Sequence, residues 1–259
     1  MPGEPAPDRT VLRITGADRE TFLQGLVTND VRRLSAGALY AALLTPQGKY
    51  LADFLLVPAG DAILLDVQSD LAEGLLRRLS MYRLRADVAI ARTDLQVTRG
   101  LGAAPEGAFA DPRHPDLGWR SYGPAAAPAA TTGPGIDWDA IRVAHVIAET
   151  GIEQRPDESY ILEAGFERLH GVDFRKGCYV GQEVTARMKH KTELKKGLVG
   201  VHIAGDAALG AEVTTADGKP AGTLFTRAGD RAIAWLRHDR ATGTLNAGQA
   251  RLTPERDES

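Results

Sequence analysis

Residues 39–44, 50–57 and 62–67 are three apolar runs parted only by the turn-formers TPQGK and PAGD. Short runs rich in Leu, Val, Tyr and Phe, punctuated by Gly and Pro, read as consecutive strands of an antiparallel meander. Upstream, TVLRITG (10–16) alternates and predicts one more strand. Asp18 then stands where an N-cap belongs, and Phe22, Leu23 and Leu26 share one face of a helix that ends near Thr28 to Asp30. Downstream, Ser69 is placed to cap a second helix in which Leu71, Leu75, Leu76 and Leu79 recur at helical spacing. ADVAIAR and LQVTR then return to strand character.

From 103 to 135 the chain turns rich in Ala, Pro and Gly, and GPAAAPAATTGPG reads as a flexible connector of poor order. DWDAIRVAHVIAETG predicts a helix with Ile141, Ala144 and Ile147 inward and Gly151 as its stop. GLVGVHIAG, AEVTTADGKPAGTLFTRAG, RAIAWLR and QARLTPE are short strands joined by Gly/Asp turns, which suggests a small antiparallel barrel or sandwich. The expected fold class is α+β. One domain is expected over 9–196, in two subdomains with a loop near 121–136, and a C-terminal β-barrel over 197–254.

With 259 residues, 43% of them hydrophobic, the chain can bury its core without disulfides or structural metal. Its single cysteine cannot form an internal disulfide, MPGEPAPDRT has no apolar run suited to a signal peptide, and no stretch is long enough to span a bilayer. A cytoplasmic protein is expected. The six histidines never form HxH, HExxH or a Cys/His ligand spacing, and GxGxxG, GxxxxGK(S/T) and GxSxG are absent. Zinc, nucleotide-loop and serine-hydrolase chemistry thereby lose their sequence support, and no metal site is expected.

The net charge of −3 gives little reason for adhesion to nucleic acid, but it is unevenly spread. Between Arg175 and Lys196 seven Lys/Arg face two Glu, so this segment is +5 and the remainder −8. Within it, KGCYVG frames the only thiol between two glycines, a composition for a tight, shaped loop. A helix starting near Gly181 would put Glu183 and Arg187 one turn apart and leave Cys178 just before an N-terminus, near Lys176 and Arg175. From this stretch alone, Cys178 reads either as a buried small hydrophobe or as a reactive thiolate. The lysines from 189 to 196 read as a solvated face, and Glu183 with Arg187 as an exposed pair.

The run GVDFRKGCYVGQEVTARM (171–188) resembles the K-G-C-Y-x-G-Q-E signature of YgfZ-type folate-binding proteins. That family includes the mitochondrial factor for maturing iron–sulfur enzymes and is related to the T-protein aminomethyltransferase of glycine cleavage. FLQGLVTNDV (22–31), LLTPQGKYLADFLL (43–56) and ADPRHPDLGWR (110–120) resemble the same family in the expected order. The resemblance implies a T-protein-like folate-binding domain of antiparallel sheets with flanking helices, with a barrel after it, and tetrahydrofolate or a one-carbon derivative as cofactor. Glu163 in LEAGFERL matches the acid that holds the pterin. Where the T-protein has two consecutive acids, this chain has Ala52 and Asp53; Ile161 and Gly165 replace a proline and an asparagine common in the family.

The candidate site is therefore Cys178 as a reactive thiol, with Lys176 lowering its pKa, and Glu163, Asp53, Lys176, Tyr179, Gln182, Glu183 and Arg187 toward folate. The resemblance implies a folate-dependent accessory protein in assembly or repair of iron–sulfur clusters, partnered by folate and by iron–sulfur client or carrier proteins. One cysteine cannot hold a cluster alone, since a cluster takes about four thiolate-type ligands. Two alternatives stay open: a tetrahydrofolate-dependent aminomethyl or methyl transferase, and a module contacting tRNA or an acidic protein through the basic segment.

Overall fold

The computed structural model describes residues 3–124, 135–191 and 194–255. It divides into two compact units, Met1–Ile136 with Glu167–Gln182, and Asp137–Phe166 with Glu183–Ser259. In the first unit β1 (Glu4–Pro5) and β2 (Arg9–Thr15) lead into helix α1 (Arg19–Gln24), and the meander follows as β3 (Leu39–Leu44), β4 (Tyr50–Ala59) and β5 (Ala62–Gln68). Helix α2 (Ser69–Tyr82) and strands β6 (Ala89–Arg92), β7 (Gln96–Gly100), β8 (Phe109–Ala110) and β9 (Trp119–Gly123) complete it. One antiparallel sheet has the order β3-β4-β5-β2-β6, the other β1-β7-β9-β8.

Period-2 alternation decides what each face buries. Leu12, Leu43, Phe54 and Leu65 point to the side covered by Leu23 of α1 and by Leu75 and Leu79 of α2. Their neighbours Val11, Val57 and Leu64 point the other way and pack with Val97 of β7. Each such buried side chain contributes about 1.5–3 kcal/mol relative to exposure. Asp66 faces that second side from within the apolar run of β5 and is wholly buried. Arg9 Nε donates to it at 2.6 Å, Arg120 at 3.1 Å and the Tyr122 hydroxyl at 3.0 Å. Burial works against its charge, but Arg9 and Arg120 outweigh burial and hold the carboxyl below its ordinary range. Arg120 also donates to the buried Asp111, which Arg113 grips with two side-chain donors.

Several local expectations change. Asp18 does not cap α1; its carboxylate accepts from the Asp87 amide at 2.8 Å, and α1 ends at Gln24, short of Thr28. The side chain that caps α2 is Gln68, accepting from the Asp70 amide, while the Ser69 hydroxyl pairs with that of Thr10 at 2.9 Å. The Ala/Pro/Gly-rich stretch is ordered over its first part, where β8 and β9 pair with Trp119 buried. Residues 125–134 of the expected connector lie outside the described residues.

The second unit begins with α3 (Trp138–Ala144). This helix stops well before Gly151. Val146 turns left-handed at φ +50°, and the buried Arg142 reaches forward to the Ile147 carbonyl and the Glu153 carboxylate, both at 3.0 Å. After α4 (Gln182–Lys191) come β10 (Lys196–Ala204), β11 (Glu212–Thr215), β12 (Pro220–Ala228), β13 (Arg231–Arg237), β14 (Leu245–Ala247) and β15 (Ala250–Pro254). They close as β10-β13-β12-β11-β14-β15, which removes sheet edges altogether. Val201, Leu236, Leu245 and Leu252 fill the interior. No helix among the described residues is long and apolar enough to cross a membrane.

Candidate functional site

In the first unit, the segment carrying the cysteine is strapped onto the end of α1 and the turn that follows. The Thr28 hydroxyl donates to the Gly171 carbonyl at 2.6 Å, the Asn29 amide donates to the carbonyls of His170 and Tyr40 at 2.7 and 2.8 Å, and the Asp173 amide donates to the Thr28 carbonyl at 3.0 Å. The TND of one motif therefore holds the HGVD of another. Lys176 completes the strap. It is 6% exposed, and its Nζ donates to the carbonyls of Gln24, at 2.8 Å, and Val27.

The Gln24 carbonyl belongs to the C-terminal end of α1, whose partial negative charge suits an ammonium, and the Val27 carbonyl to the turn that follows. Burial lowers the Lys176 pKa from 10.5 to about 8, against the opposing pull of Asp30 and Asp173. The same nitrogen stands 5.1 Å from the centre of the Tyr179 ring, which is itself buried. Gln24 answers in the other direction, its side-chain amide donating to the Lys176 carbonyl at 3.3 Å.

Strapped in this way, the loop presents its thiol outward: Cys178 is exposed. The two flanking glycines are needed for different reasons. Gly177 is left-handed at φ +94° with open space around it, so only its backbone conformation requires glycine. Gly181, at φ +86°, also lies so close to the β3–β4 turn that a Cβ would fall 2.6 Å from the Thr45 carbonyl oxygen. Val180 between them packs on the main core.

Asp53 projects from β4 to the face away from α1 and α2 and is 7% exposed. The hydroxyls of Tyr50 and Tyr40 donate to its two oxygens at 2.6 and 2.9 Å, and its own amide donates to the Tyr50 oxygen at 3.2 Å. Burial, then the Asp53 charge, push the Tyr40 phenol well above its ordinary pKa. Arg113, held by Asp111, lies 5.6 Å over the Tyr40 ring. Ion pairs thus link Asp66 through Arg120 and Asp111 to Arg113, whose guanidinium lies over the ring of the Tyr40 that bonds to Asp53.

In the second unit, Glu163 lies in a run of turns rather than on a helix. Its carbonyl accepts from the Leu198 amide at 2.9 Å, fixing it to the first barrel strand. One carboxylate oxygen is shielded from solvent, in a pocket of about 10 Å³, room for one water, lined by Tyr160, Leu198 and Trp235 among others. Gln182 is half-buried, its amide donating to the Tyr179 carbonyl at 3.2 Å. Glu183 and Arg187 are exposed on α4, and among the described residues no ion pair joins them.

Lys176, Cys178, Tyr179 and Gln182 are therefore neighbours in one loop, and Asp53 anchors a separate cluster of the same unit. Tyr40, Tyr50, Arg113, Thr28 and Asn29 escaped the sequence reading. Tyr40 could have been found, because alternation along β3 and β4 puts it on the Asp53 face. Strict alternation sends Tyr50 to the opposite face from Asp53, and the pairing slips beside it, between Leu43 and Leu44.

Residues 195–259 match the family model of the CAF17 C-terminal beta-barrel domain. Curated relatives include the mitochondrial iron–sulfur cluster assembly factor IBA57 homolog of Mycosarcoma maydis, 35% identical over 221 residues, 74% of this chain and 55% of that protein. The chain thus spans little more than half the length of that relative. IBA57 of Homo sapiens, also named as mitochondrial, is 31% identical over 277 residues, 92% of this chain and 78% of that protein. A crystal structure of the glycine cleavage system aminomethyltransferase T from Bartonella henselae is similar with a TM-score of 0.78, at 13% identity, over 96% of this chain and 83% of that one. The aminomethyltransferase-like fold with a closed C-terminal barrel is the architecture expected from the sequence. With nearly a third of its positions identical across more than three-quarters of the human protein, the chain belongs to the family of IBA57 iron–sulfur cluster assembly factors.

Proposed function

We infer that this protein assists the assembly or repair of iron–sulfur clusters in client enzymes, with tetrahydrofolate as its cofactor and Cys178 as the group that meets the client or carrier protein. The observation that carries the reading is the exposed thiol on a glycine-framed loop, clamped from below by the buried Lys176. A fixed, outward thiol suits transient ligation of a cluster that passes to another protein, the cluster being cargo rather than a resident group. Lys176 serves the thiol in this reading by holding the loop still. Tyr179 packs under the loop and Gln182 follows it in sequence, while Glu183 and Arg187, on α4 of the second unit, are assigned toward folate by sequence alone.

Glu163 is the residue we assign to a reduced pterin, by the type of its side chain and not by the size of its pocket, which holds one water. Glu163 offers a shielded carboxylate oxygen to adjacent N–H donors, with Tyr160 and Trp235 supplying apolar surface nearby. Asp53 offers a second buried acid. Tetrahydrofolate, when bound, supplies a carrier for one-carbon groups. Transfer of such a group is less well served, because both oxygens of Asp53 accept phenols and Ala52 stands where a second acid would. The relatives are named as mitochondrial; for this chain a cytoplasmic site is our reading, and a reducing compartment suits its exposed single cysteine.

Two measurements test the proposal. Cys178→Ser should fail to restore iron–sulfur enzyme activity in a strain lacking the gene, and full rescue would remove the thiol from the mechanism. Calorimetric titration with tetrahydrofolate should show affinity lost in Glu163→Ala; unchanged affinity would move the pterin anchor elsewhere.

A further inference from the structure

The outward side of α2 takes no part in the candidate site, and its composition is not that of an ordinary solvated helix. Leu75 and Leu79 face the core, while Gly74, Arg77, Arg78, Met81 and Tyr82 line a groove of about 450 Å³ on the other side. In the nine residues from Arg77 to Arg85 there are four arginines and no acid, a local charge of +4 in a chain of net −3. Met81 is 74% exposed and Leu84 is 88% exposed; Leu209, in the barrel unit, is the one other large hydrophobic so placed among the described residues. Two strongly exposed apolar side chains one turn apart, ringed by arginines, are what a recognition surface presents.

Leu84 adds an independent observation. It follows the C-cap Arg83 in left-handed backbone at φ +46°, the position where helices ordinarily place glycine. A leucine there strains the backbone and buries almost nothing in return, so the fold itself gains nothing from it.

We propose that the end of α2 and the turn after it, residues 74–85, dock an acidic segment of a partner protein, with Met81 and Leu84 making the apolar contact and the arginines receiving carboxylates. Arg77 already meets Glu73 at 3.1 Å and Arg83 donates to the Val88 carbonyl at 3.4 Å, whereas Arg78 and Arg85 carry no ion pair among the described residues and lead the recognition. The apolar centre inside a cationic rim favours a protein over nucleic acid, since Tyr82, the aromatic side chain in the groove, is half-buried against the core rather than presented as an open stacking platform. The inference stands independently of folate and of Cys178.

The test uses the full chain and a fluorescein-labelled synthetic peptide of glutamates carrying two leucines one helical turn apart, read by anisotropy. Binding should weaken about tenfold in Arg78→Glu/Arg85→Glu and about fivefold in Met81→Ser/Leu84→Ser, and should fall with added salt. Leu84→Gly should raise the thermal midpoint while weakening the peptide, a combination a purely structural leucine would not produce. Equal binding by wild type and variants, or none by either, overturns the proposal. So does tighter binding of phosphatidylglycerol vesicles or single-stranded RNA at the same ionic strength, or self-association that Met81→Ser/Leu84→Ser abolishes.

Discussion

Replacing Lys176 with methionine should keep the packing volume and remove the amine that closes the end of α1. At neutral pH, burying an ammonium whose pKa falls from 10.5 to about 8 costs roughly 3 kcal/mol. Its bonds to the Gln24 and Val27 carbonyls must exceed that cost, at roughly 1.5–3 kcal/mol each for a charged donor. The variant also leaves the carbonyls of Gln24, at the helix end, and of Val27, in the turn after it, without this donor, which adds about 1–3 kcal/mol. The net expectation is a loss of about 2–4 kcal/mol in the first unit, or roughly 4–16 °C in its midpoint.

Urea unfolding read by the fluorescence of Trp119, the buried tryptophan of that unit, with Trp138 and Trp235 replaced by phenylalanine, reports it directly. The pH dependence gives a second handle. Because the folded pKa lies below the unfolded one, the unfolded chain binds more protons between pH 8 and 10.5, and stability rises with pH across that window. The methionine variant lacks this rise, so its deficit should widen by up to roughly 3 kcal/mol. A variant within about 0.5 kcal/mol of wild type at pH 7, or a deficit that narrows above pH 8, would refute the strap.

Other outcomes follow from the same geometry. Gly181→Ala meets both a left-handed backbone and the Thr45 carbonyl, so it should cost about 3 kcal/mol or more, against about 1 kcal/mol for Gly177→Ala, whose surroundings are open; chemical denaturation of the pair decides it. Asp66→Asn leaves Arg9 without its buried counter-charge and Arg120 with Asp111 alone, and should lose about 3–5 kcal/mol, measured the same way. Since the Asp66 and Asp111 carboxyls are both held below their ordinary value, the stability they contribute is present above about pH 4 and is lost as pH falls below it. Acid unfolding of wild type against Asp66→Asn should show a weaker pH dependence in the variant. A thiol reagent should label one equivalent of Cys178 in the native protein as fast as in urea, and a slow native reaction would contradict its exposure.

Much of the scaffold was legible because period-2 runs are a direct imprint of sheet burial. Residues 39–44, 50–57 and 62–67 reappear as β3 to β5, the leucines of α2 face the core as their spacing requires, and the late strands close a barrel. Boundaries were less legible, because competing side chains decide them. Ser69 loses its cap to Gln68, Asp18 is drawn to Asp87, and Arg142 with Glu153 ends α3 early.

The polar groups were hardest to place. Lys176 was expected to act on the thiol of Cys178 because the two are close in sequence, whereas its partners Gln24 and Val27 are far away in the chain. Asp66 did leave a mark, an acid inside the apolar run AILLDVQ, but its arginines come from residues 9 and 120. Pairings over such separations are set by topology and leave no local pattern.

The strap on α1 also has a consequence for biosynthesis. Lys176 follows Gln24 by 152 residues, and the chain builds the start of its second unit before the strap emerges. On a ribosome elongating at about 5–20 residues per second, the nascent amino-terminal sheet waits roughly 8–30 seconds for the lysine that finishes its first helix. During that interval the carbonyl end of α1 is an unfinished surface, and the half-made protein is at its most exposed to proteases and holding chaperones.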